Sequence, residues 1–344
     1  MPTAQTVTLV STIPSGLPEP SHFSIVSSDV TTSNLETGSF VLQTLCMSAD
    51  PYLRSGLKTG DVPRPLSGFI VGKVTASNSE KYPVNNIIGA ALPFSTLHLL
   101  SEEKISKTIS WDLTPHITEE DATLGLGVLG MPGATAYGGF IDVLRPQEGE
   151  TLFVSSAAGA VGSMVGQIAK NVKGCKVIGS CGGPEKNAIV KDKFGFDDCI
   201  DYKTIKGAEE LTKVLEEKSE GGINMYFENV GGMHFEAAMN TLKPHGRVAI
   251  CGCISRYNDD SATPKLNTID ISKMIYTFQR VEGFVCMPWL SGARGKFLED
   301  MNEWRKEGKV GCEQWVVEGI EKWPEAFQAL FTGKNTGKVC VKIG

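Results

Sequence analysis

Thr151-Leu152-Phe153-Val154-Ser155-Ser156-Ala157-Ala158-Gly159-Ala160-Val161-Gly162 is the stretch whose reading decides the fold. Its first four residues are an apolar run suited to a strand buried on both faces. The turn then reads Ala-x-Gly-x-x-Gly, a dinucleotide fingerprint with alanine in the first glycine position. Val161, Val165, Ile168, Ala169 and Val172 recur at helical spacing, and Lys176-Val177-Ile178-Gly179 is a second apolar strand. Strand, glycine turn, helix and strand form the context in which the fingerprint carries meaning. Gly159 lets the backbone approach a pyrophosphate, and Gly162 lets the helix pack close to the sheet. The free amides at the helix start face the phosphates. Ala158, Ala160 and Val161 fill the same cofactor loop.

An NAD site usually places Asp or Glu about twenty residues after the fingerprint, for the ribose hydroxyls. Here the second strand ends Gly179-Ser180-Cys181-Gly182-Gly183, without a carboxylate. Lys186 follows, and Tyr202 lies beyond the third strand. A small neutral turn with a nearby cation suits a 2′-phosphate, so the expected cofactor is NADP(H). Taken alone, Lys186 also reads as a solvated lysine on a first helical turn.

The chain has 344 residues, enough for two domains, with 41% hydrophobic and 21% charged residues and a net charge of −6. No basic cluster marks a nucleic-acid partner. Met1 to Pro20 has neither the basic head nor the apolar core of a secretory signal, and no apolar run approaches the ~20 residues of a membrane span. The nine cysteines are scattered, without framework or metal-ligand spacing. They fit reduced thiols in a cytoplasmic compartment.

Residues 1 to about 125 read as β-rich with long loops, closer to a small barrel than to a wound sheet. Phe23 to Val26, Ser39 to Met47 and Gly68 to Ala76 are its clearest strands. Thr118 to Asp121 offers a cap and acidic first turn, and Ala136 to Val143 reads as a helix ending before Arg145-Pro146. After the fingerprint, strands (Asp198 to Asp201, Met225 to Glu228, Arg247 to Ile250, Val281 to Val285) alternate with helices (Glu209 to Ser219, Phe235 to Leu242, Gly295 to Lys306). That succession is expected to give a parallel, doubly wound α/β sheet. Lys338 to Ile343 alternates strictly, as a half-buried strand does, and is expected to return to the β-rich domain.

These pieces resemble the zinc-independent medium-chain dehydrogenase/reductases, and among them the NADPH-dependent alkenal and prostaglandin reductases. The matching motifs are Ser48-Ala49-Asp50-Pro51-Tyr52-Leu53-Arg54, Met131-Pro132-Gly133 with Thr135-Ala136-Tyr137, and the fingerprint through Lys170. They continue with Tyr226-Phe227-Glu228-Asn229-Val230-Gly231-Gly232, Cys251 to Asn258, and Asn335-Thr336-Gly337-Lys338. The resemblance implies a Rossmann domain at 129–309 inserted into a β-rich GroES-like domain formed by 1–128 and 310–344. It implies that Lys186 and Tyr202 hold the 2′-phosphate, that Asn229 and Asn335 line the cofactor, and that Tyr257 lies by the nicotinamide. Met131, Thr135, Ser180, Gly182, Cys251, Ile254, Ser255, Phe284 and Val285 complete the implied cofactor site, and a homodimer is the implied assembly. The chain departs from the family pattern at Ala134, smaller than usual, and at Cys181, larger than usual. Asp259 to Asn267 has no clear counterpart and is expected to shape the substrate mouth.

Alcohol-oxidising relatives carry a Gly-His-Glu motif and a four-cysteine lobe. Here the corresponding stretch is Ser67-Gly68-Phe69-Ile70-Val71-Gly72, and Cys46 alone stands near a ligand-like position, so no metal is expected. Hydride addition to a plain carbonyl leaves a strongly basic alkoxide, which zinc commonly stabilises. Addition to the β-carbon of an enone leaves a delocalised enolate that one or two hydrogen-bond donors stabilise. The expected reaction is therefore NADPH-dependent reduction of the C=C bond of small α,β-unsaturated aldehydes and ketones. Tyr257 is the candidate donor, with its phenol protonated at neutral pH. Packing on the cofactor is its other reading, with a ribose hydroxyl or water delivering the proton. Tyr52 is a second candidate, and Pro51-Tyr52 also reads as a turn anchor. A zinc-free quinone reductase and a non-enzymatic binding protein that keeps the fold remain the alternatives.

Overall fold

A computed structural model describes residues 2–260 and 269–344. Most of the segment expected at the substrate mouth, 261–267, lies outside the described residues. The chain divides into two compact units, Met1–Met131 with Gln314–Gly344, and Pro132–Glu313.

The second unit holds a six-stranded parallel sheet of β1 (Thr151–Ser155), β2 (Lys176–Cys181), β3 (Asp198–Asp201), β4 (Ile223–Glu228), β5 (Leu242–Ile250) and β6 (Arg280–Gly283). Their order is β3-β2-β1-β4-β5-β6, the doubly wound order of dinucleotide-binding sheets. Ligands bind such sheets outside the carboxyl ends of the strands, where the order reverses. That places attention on the ends of β1 and β4 and on the turn after β2. Helices α1 (Ala160–Gln167), α2 (Pro184–Ala188), α3 (Ala208–Lys218) and α4 (Met233–Thr241) connect the strands. Leu211 and Leu215 of α3, one turn apart, are buried with Phe235, Ala238 and strand residues Phe153, Ile178, Tyr226 and Val248. Glu209 and Glu210 stand in the first turn of α3 and Lys218 in its last, matching the helix dipole.

Several boundaries differ from expectation. The helix expected over Ala136 to Val143 begins at Met131 and passes at Gly138 into a wider turn that ends at Leu144. Β6 stops at Gly283, so Phe284 and Val285 lie just past the strand rather than within it.

The first unit contains two sheets. One runs Phe23–Asp29, Thr3–Leu9, Arg64–Pro65, and the other has seven strands around Ser39–Ala49 and Ser67–Ser77. An isolated bridge joins Thr6 to Ser95. Phe40, Leu42, Met47, Ile70, Val74, Trp323, Phe327, Val339 and Val341 form its core. The last strand, Lys338–Lys342, pairs antiparallel with Ser39–Ala49. It is buried on both faces, not one, because Lys338 is held inside: its ammonium donates to Asp50 Oδ1 (2.7 Å), Ser48 Oγ (2.7 Å) and Ala49 O (3.0 Å). A lysine enters a core only when paired and hydrogen-bonded in this way.

Candidate functional site

At the end of β1 the chain turns through Ser156 in the left-handed region, φ 55°. Ala157 N–H donates to Ser180 O of β2 (2.9 Å), and Gly159 N–H donates to Ser156 O (2.9 Å). Gly162 has the packing use its spacing predicted. A Cβ on Gly162 would lie 2.3 Å from Ser156 O, so α1 reaches the strand end only because that side chain is missing. A Cβ on Gly159 would lie 2.9 Å from Ser156 Oγ. Ala158 is buried beneath the loop, and Ala160 and Val161 are half-buried at the start of α1. With the Gly159 amide taken by Ser156 O, the next three amides of the helix start have no intrahelical partner.

Beside this loop, Ser180 stands one residue before the end of β2, and its buried hydroxyl meets His234 Nε2 at 2.9 Å. Burial holds the His234 imidazole down at about 4, so it is neutral at physiological pH. Gly182 faces the end of β3. A Cβ there would stand 2.9 Å from Lys203 Cε and 3.0 Å from the Tyr202 hydroxyl. Lys186, on α2, is half-buried. Its pKa is lowered by burial first, raised by Cys181 and lowered by the neighbouring Lys203 ammonium. Sequence reasoning named Lys186 and Tyr202 and missed Lys203 and Asp201. Asp201 Oδ1 accepts from the N–H groups of Gly183 (2.9 Å) and Lys203 (3.0 Å), so this carboxylate is spent on holding the turn. The signal for both was the register, in which Cys181 of β2 lies opposite Asp201 of β3.

The other half of the site lies at the ends of β4 and β5. Glu228 is buried, and its Oε1 accepts from the Tyr226 hydroxyl (2.7 Å), the Ser155 hydroxyl (3.1 Å) and Val230 N–H (2.6 Å). Burial raises its pKa, opposed by these donors and by Gly231 N–H. Asn229 donates through Nδ2 to Ser155 O (2.8 Å), and its backbone N–H donates to Ser155 Oγ (2.9 Å). The loop after β5 hangs from this floor. Cys251 and Gly252 N–H donate to Glu228 O, Ile254 N–H to Asn229 O and Ser255 N–H to Val230 O. Cys251 is half-exposed on that loop, its thiol pushed up to about 12 by burial.

Tyr257 closes the loop. Its hydroxyl accepts weakly from Cys253 N–H (3.4 Å) and sits 2.9 Å from where a Gly252 Cβ would be. Burial pushes the phenol up to about 12. It therefore keeps its proton at neutral pH and can donate it. Phe284 packs edge-on against Phe227 and Trp289, while Val285 is exposed. Thr135 is buried on the helix Met131–Tyr137.

Tyr52 and Asn335 belong to the first unit. The Tyr52 ring is exposed on one side and meets Phe69 edge-on at 6.3 Å. Asn335 donates to Gly337 O (3.2 Å) in the turn before Lys338. Cys46 is fully buried on a central strand, its thiol pushed up by burial and by Cys340. Among the described residues no group of three or more His, Cys, Asp or Glu is placed to hold a metal.

Two family models match the chain: "N-terminal domain of oxidoreductase" over residues 6–108 and "Zinc-binding dehydrogenase" over residues 160–297. Prostaglandin reductase 1 of Mus musculus is 40% identical over 332 residues, 95% of each chain. A 2-alkenal reductase (NADP(+)-dependent) of Nicotiana tabacum is 36% identical, over 88% of this chain and 87% of its own. Among solved structures, CurA from Vibrio vulnificus in complex with NADPH superposes with a TM-score of 0.83 at 35% identity, covering 99% of both chains. The sheet order, the glycine loop and these relatives lead to one conclusion: the chain belongs to the zinc-independent medium-chain dehydrogenase/reductase family, on the branch of the prostaglandin and alkenal reductases.

Proposed function

We propose that this protein is an NADPH-dependent reductase of C=C bonds conjugated to a carbonyl. The observation that carries the cofactor is the turn after β2. Lys186 and Lys203 flank Gly182, and the nearby carboxylate, Asp201, is committed to backbone amides. The residues fit a dinucleotide phosphate: Gly162 lets the start of α1 approach the end of β1, and Lys203 and the Tyr202 hydroxyl stand against Gly182. The relatives named above as NADP(+)-dependent or bound to NADPH support the same cofactor.

NADPH, when bound, supplies a hydride for the β-carbon of the substrate. The chain does the rest. The first amides of α1 bind the pyrophosphate, with Ala158, Gly159, Ala160 and Val161 forming the loop. Lys186, Lys203 and Tyr202 would take the 2′-phosphate, and the positive charge of the two lysines would discriminate against NADH. Ser180, Asn229, Cys251, Ile254, Ser255, Phe284 and Val285 line the path toward the nicotinamide, with Met131, Thr135 and Asn335 assigned to the same cofactor. Tyr257 donates a hydrogen bond to the carbonyl oxygen as charge develops there, since its proton is retained. Tyr52 is the next candidate for that role.

The test is NADPH oxidation against enals, enones, 15-keto prostaglandins, plain ketones and quinones, with products identified. Saturated carbonyl products and turnover that survives a chelator are expected. Faster turnover of quinones than of any enone would replace this reading with quinone reduction.

A homodimer is part of the same reading. Among the described residues β6 pairs with β5 alone and forms the sheet edge. Beside it Ile271, Ile275, Tyr276 and Phe278 are exposed, Tyr276 by 83%. Unpaired edges beside apolar patches are rarely left open to water, and a second copy covers both. Light scattering should give twice the chain mass, and Tyr276→Glu should give the monomer. A wild-type monomer would remove the dimer. The nine cysteines, none of them in a disulfide, fit a cytoplasmic setting, which fractionation of the source cells would test.

A further inference from the structure

Two thiols lie where β2 and β3 deliver their residues to the phosphate end of the site. Gly179 of β2 is opposite Cys199 of β3, and Cys181 is opposite Asp201. Cys181 and Cys199 thus project from one face of the sheet, and their sulfurs are 3.5 Å apart. The proposed reduction uses neither thiol. Cys181 is buried, Cys199 is half-exposed, and both are free. We propose that Cys181 and Cys199 are a peroxide-sensitive dithiol whose disulfide weakens NADPH binding. This rests on the assignment of the 2′-phosphate to Lys186, Tyr202 and Lys203.

The two sulfurs have different roles. One hydrogen bond joins the two thiols, in which either can donate, and the nearby Lys186 ammonium favours a thiolate at Cys181. Cys181 is the nucleophile and Cys199 the resolving thiol. The Cys181 thiolate attacks one oxygen of hydrogen peroxide. The O–O bond breaks, hydroxide leaves and takes up a proton as water, and Cys181 becomes a sulfenic acid. The Cys199 sulfur then attacks the Cys181 sulfur. An S–S bond forms, the S–O bond breaks, and hydroxide departs with the Cys199 proton as a second water. Two thiols lose two electrons and two hydrogens, and one peroxide becomes two waters.

Closing to the ~2.05 Å of a disulfide draws the sulfurs together by roughly 1.5 Å. The two cysteines are diagonal in the register, so backbone must move. The strand that yields is β3, four residues long and paired among the described residues on one side only. Asp201, Tyr202 and Lys203 come directly after Cys199 and Ile200, and the turn at Gly182 has no room, since Tyr202 and Lys203 already stand at 2.9–3.0 Å from a Cβ position there. A shift of β3 therefore disturbs the Asp201 bonds to Gly183 and Lys203 and moves the groups assigned to the 2′-phosphate. By linkage, bound NADPH disfavours the disulfide at equilibrium, and by holding Lys186, Tyr202 and Lys203 in place it resists the movement of β3 that closure needs.

The experiment uses the full chain, reduced, freed of reductant and treated with hydrogen peroxide with and without NADPH. Non-reducing peptide mass spectrometry should find a Cys181–Cys199 cross-link, formed more slowly with NADPH present. Calorimetry should show NADPH affinity falling by about tenfold or more, the worth of one charge-assisted contact, with NADH affinity little changed and reductant restoring the original value. Cys199→Ser should bind NADPH as the reduced wild type does and lose the peroxide effect. Absence of the cross-link, or a cross-link that leaves NADPH affinity unchanged, overturns the proposal. If the cross-link forms and NADH weakens as much as NADPH, the dithiol stands and the 2′-phosphate assignment fails. Cys181→Ser, should Cys199→Ser not fold, must abolish the cross-link as well.

Discussion

The two ends of the proposed cofactor site are built differently. Where β4 and β5 end, a buried carboxylate collects donors: Glu228 holds Tyr226, Ser155 and Val230, and the loop from Cys251 to Tyr257 hangs from Glu228 O, Asn229 O and Val230 O. Where β2 and β3 end, charges stand at the edge of water: Lys186 is half-buried, and Tyr202 and Lys203 are exposed. The first region is a buried polar network, which fixes geometry. The second is a charged surface open to water. In the proposed reading the contrast separates two functions of one site. Damage at the β4–β5 end should appear in kcat, and damage at the β2–β3 end in cofactor affinity.

The sharpest test is Tyr257→Phe, on the rigid side. The ring and its packing remain, and only the donor is lost. Losing one donor to developing charge costs about 2.7–4 kcal/mol, a fall of roughly a hundred- to a thousandfold in kcat and kcat/KM together. NADPH affinity should move little. Steady-state kinetics with an enone and a binding titration give both numbers. An unchanged kcat with weakened cofactor would place Tyr257 among the binding groups and turn attention to Tyr52.

Lys186→Ala probes the opposite end. One charge-assisted contact is worth about 1.5–3 kcal/mol, so NADPH should bind about 10- to 100-fold more weakly, with NADH nearly unchanged and kcat at saturation retained. Equal weakening of both cofactors would mean that Lys186 supports the fold instead.

Gly162→Ala strikes where the two regions meet. The new methyl would stand 2.3 Å from Ser156 O, a backbone atom that cannot rotate away. Overpacking of this kind costs about 1–3 kcal/mol, to be read as a lower Tm, with NADPH affinity falling as the loop shifts. Wild-type stability in this variant would contradict the close approach of α1 to β1.

The same contrast explains what the sequence disclosed. The fingerprint was legible because its glycines act on neighbours a few residues away, and spacing alone prescribes that geometry. Asp201 and Lys203 were not legible. They reach Gly182 through strand register, and nothing local in Asp201-Tyr202-Lys203 reports what lies across the sheet. Glu228 stood in a quoted motif, yet its part as the anchor of two loops needs Ser155, 73 residues earlier in the chain. In the β-rich unit, Thr3–Leu9 escaped because its register mixes threonines and glutamine with few apolar positions. The final strand was seen, but its burial on both faces depends on the Lys338–Asp50 pair, a contact spanning most of the chain.

The smallest expected effect tests whether the rigid end is electrostatically strained. Burial raises the Glu228 pKa above its ordinary value of 4.5 in spite of the donors around it. The unfolded chain releases this proton more readily than the folded one. The contribution of Glu228 to stability is therefore fully present below about pH 4.5 and is lost as pH rises through the higher folded value. His234 runs the other way. Its folded pKa is about 4, below the ordinary 6.5, so its contribution is present above 6.5 and is lost as pH falls toward 4. The two slopes overlap, and a wild-type stability curve alone does not resolve them. Glu228→Gln separates them, since glutamine keeps the shape and carries no proton to lose, while His234 is untouched. Urea unfolding of both proteins from pH 4 to 8 should give a difference curve that tilts against the wild type as pH rises. A flat difference curve would mean that the donors fully offset the burial of the carboxylate, and the floor of the site would then be held without electrostatic cost.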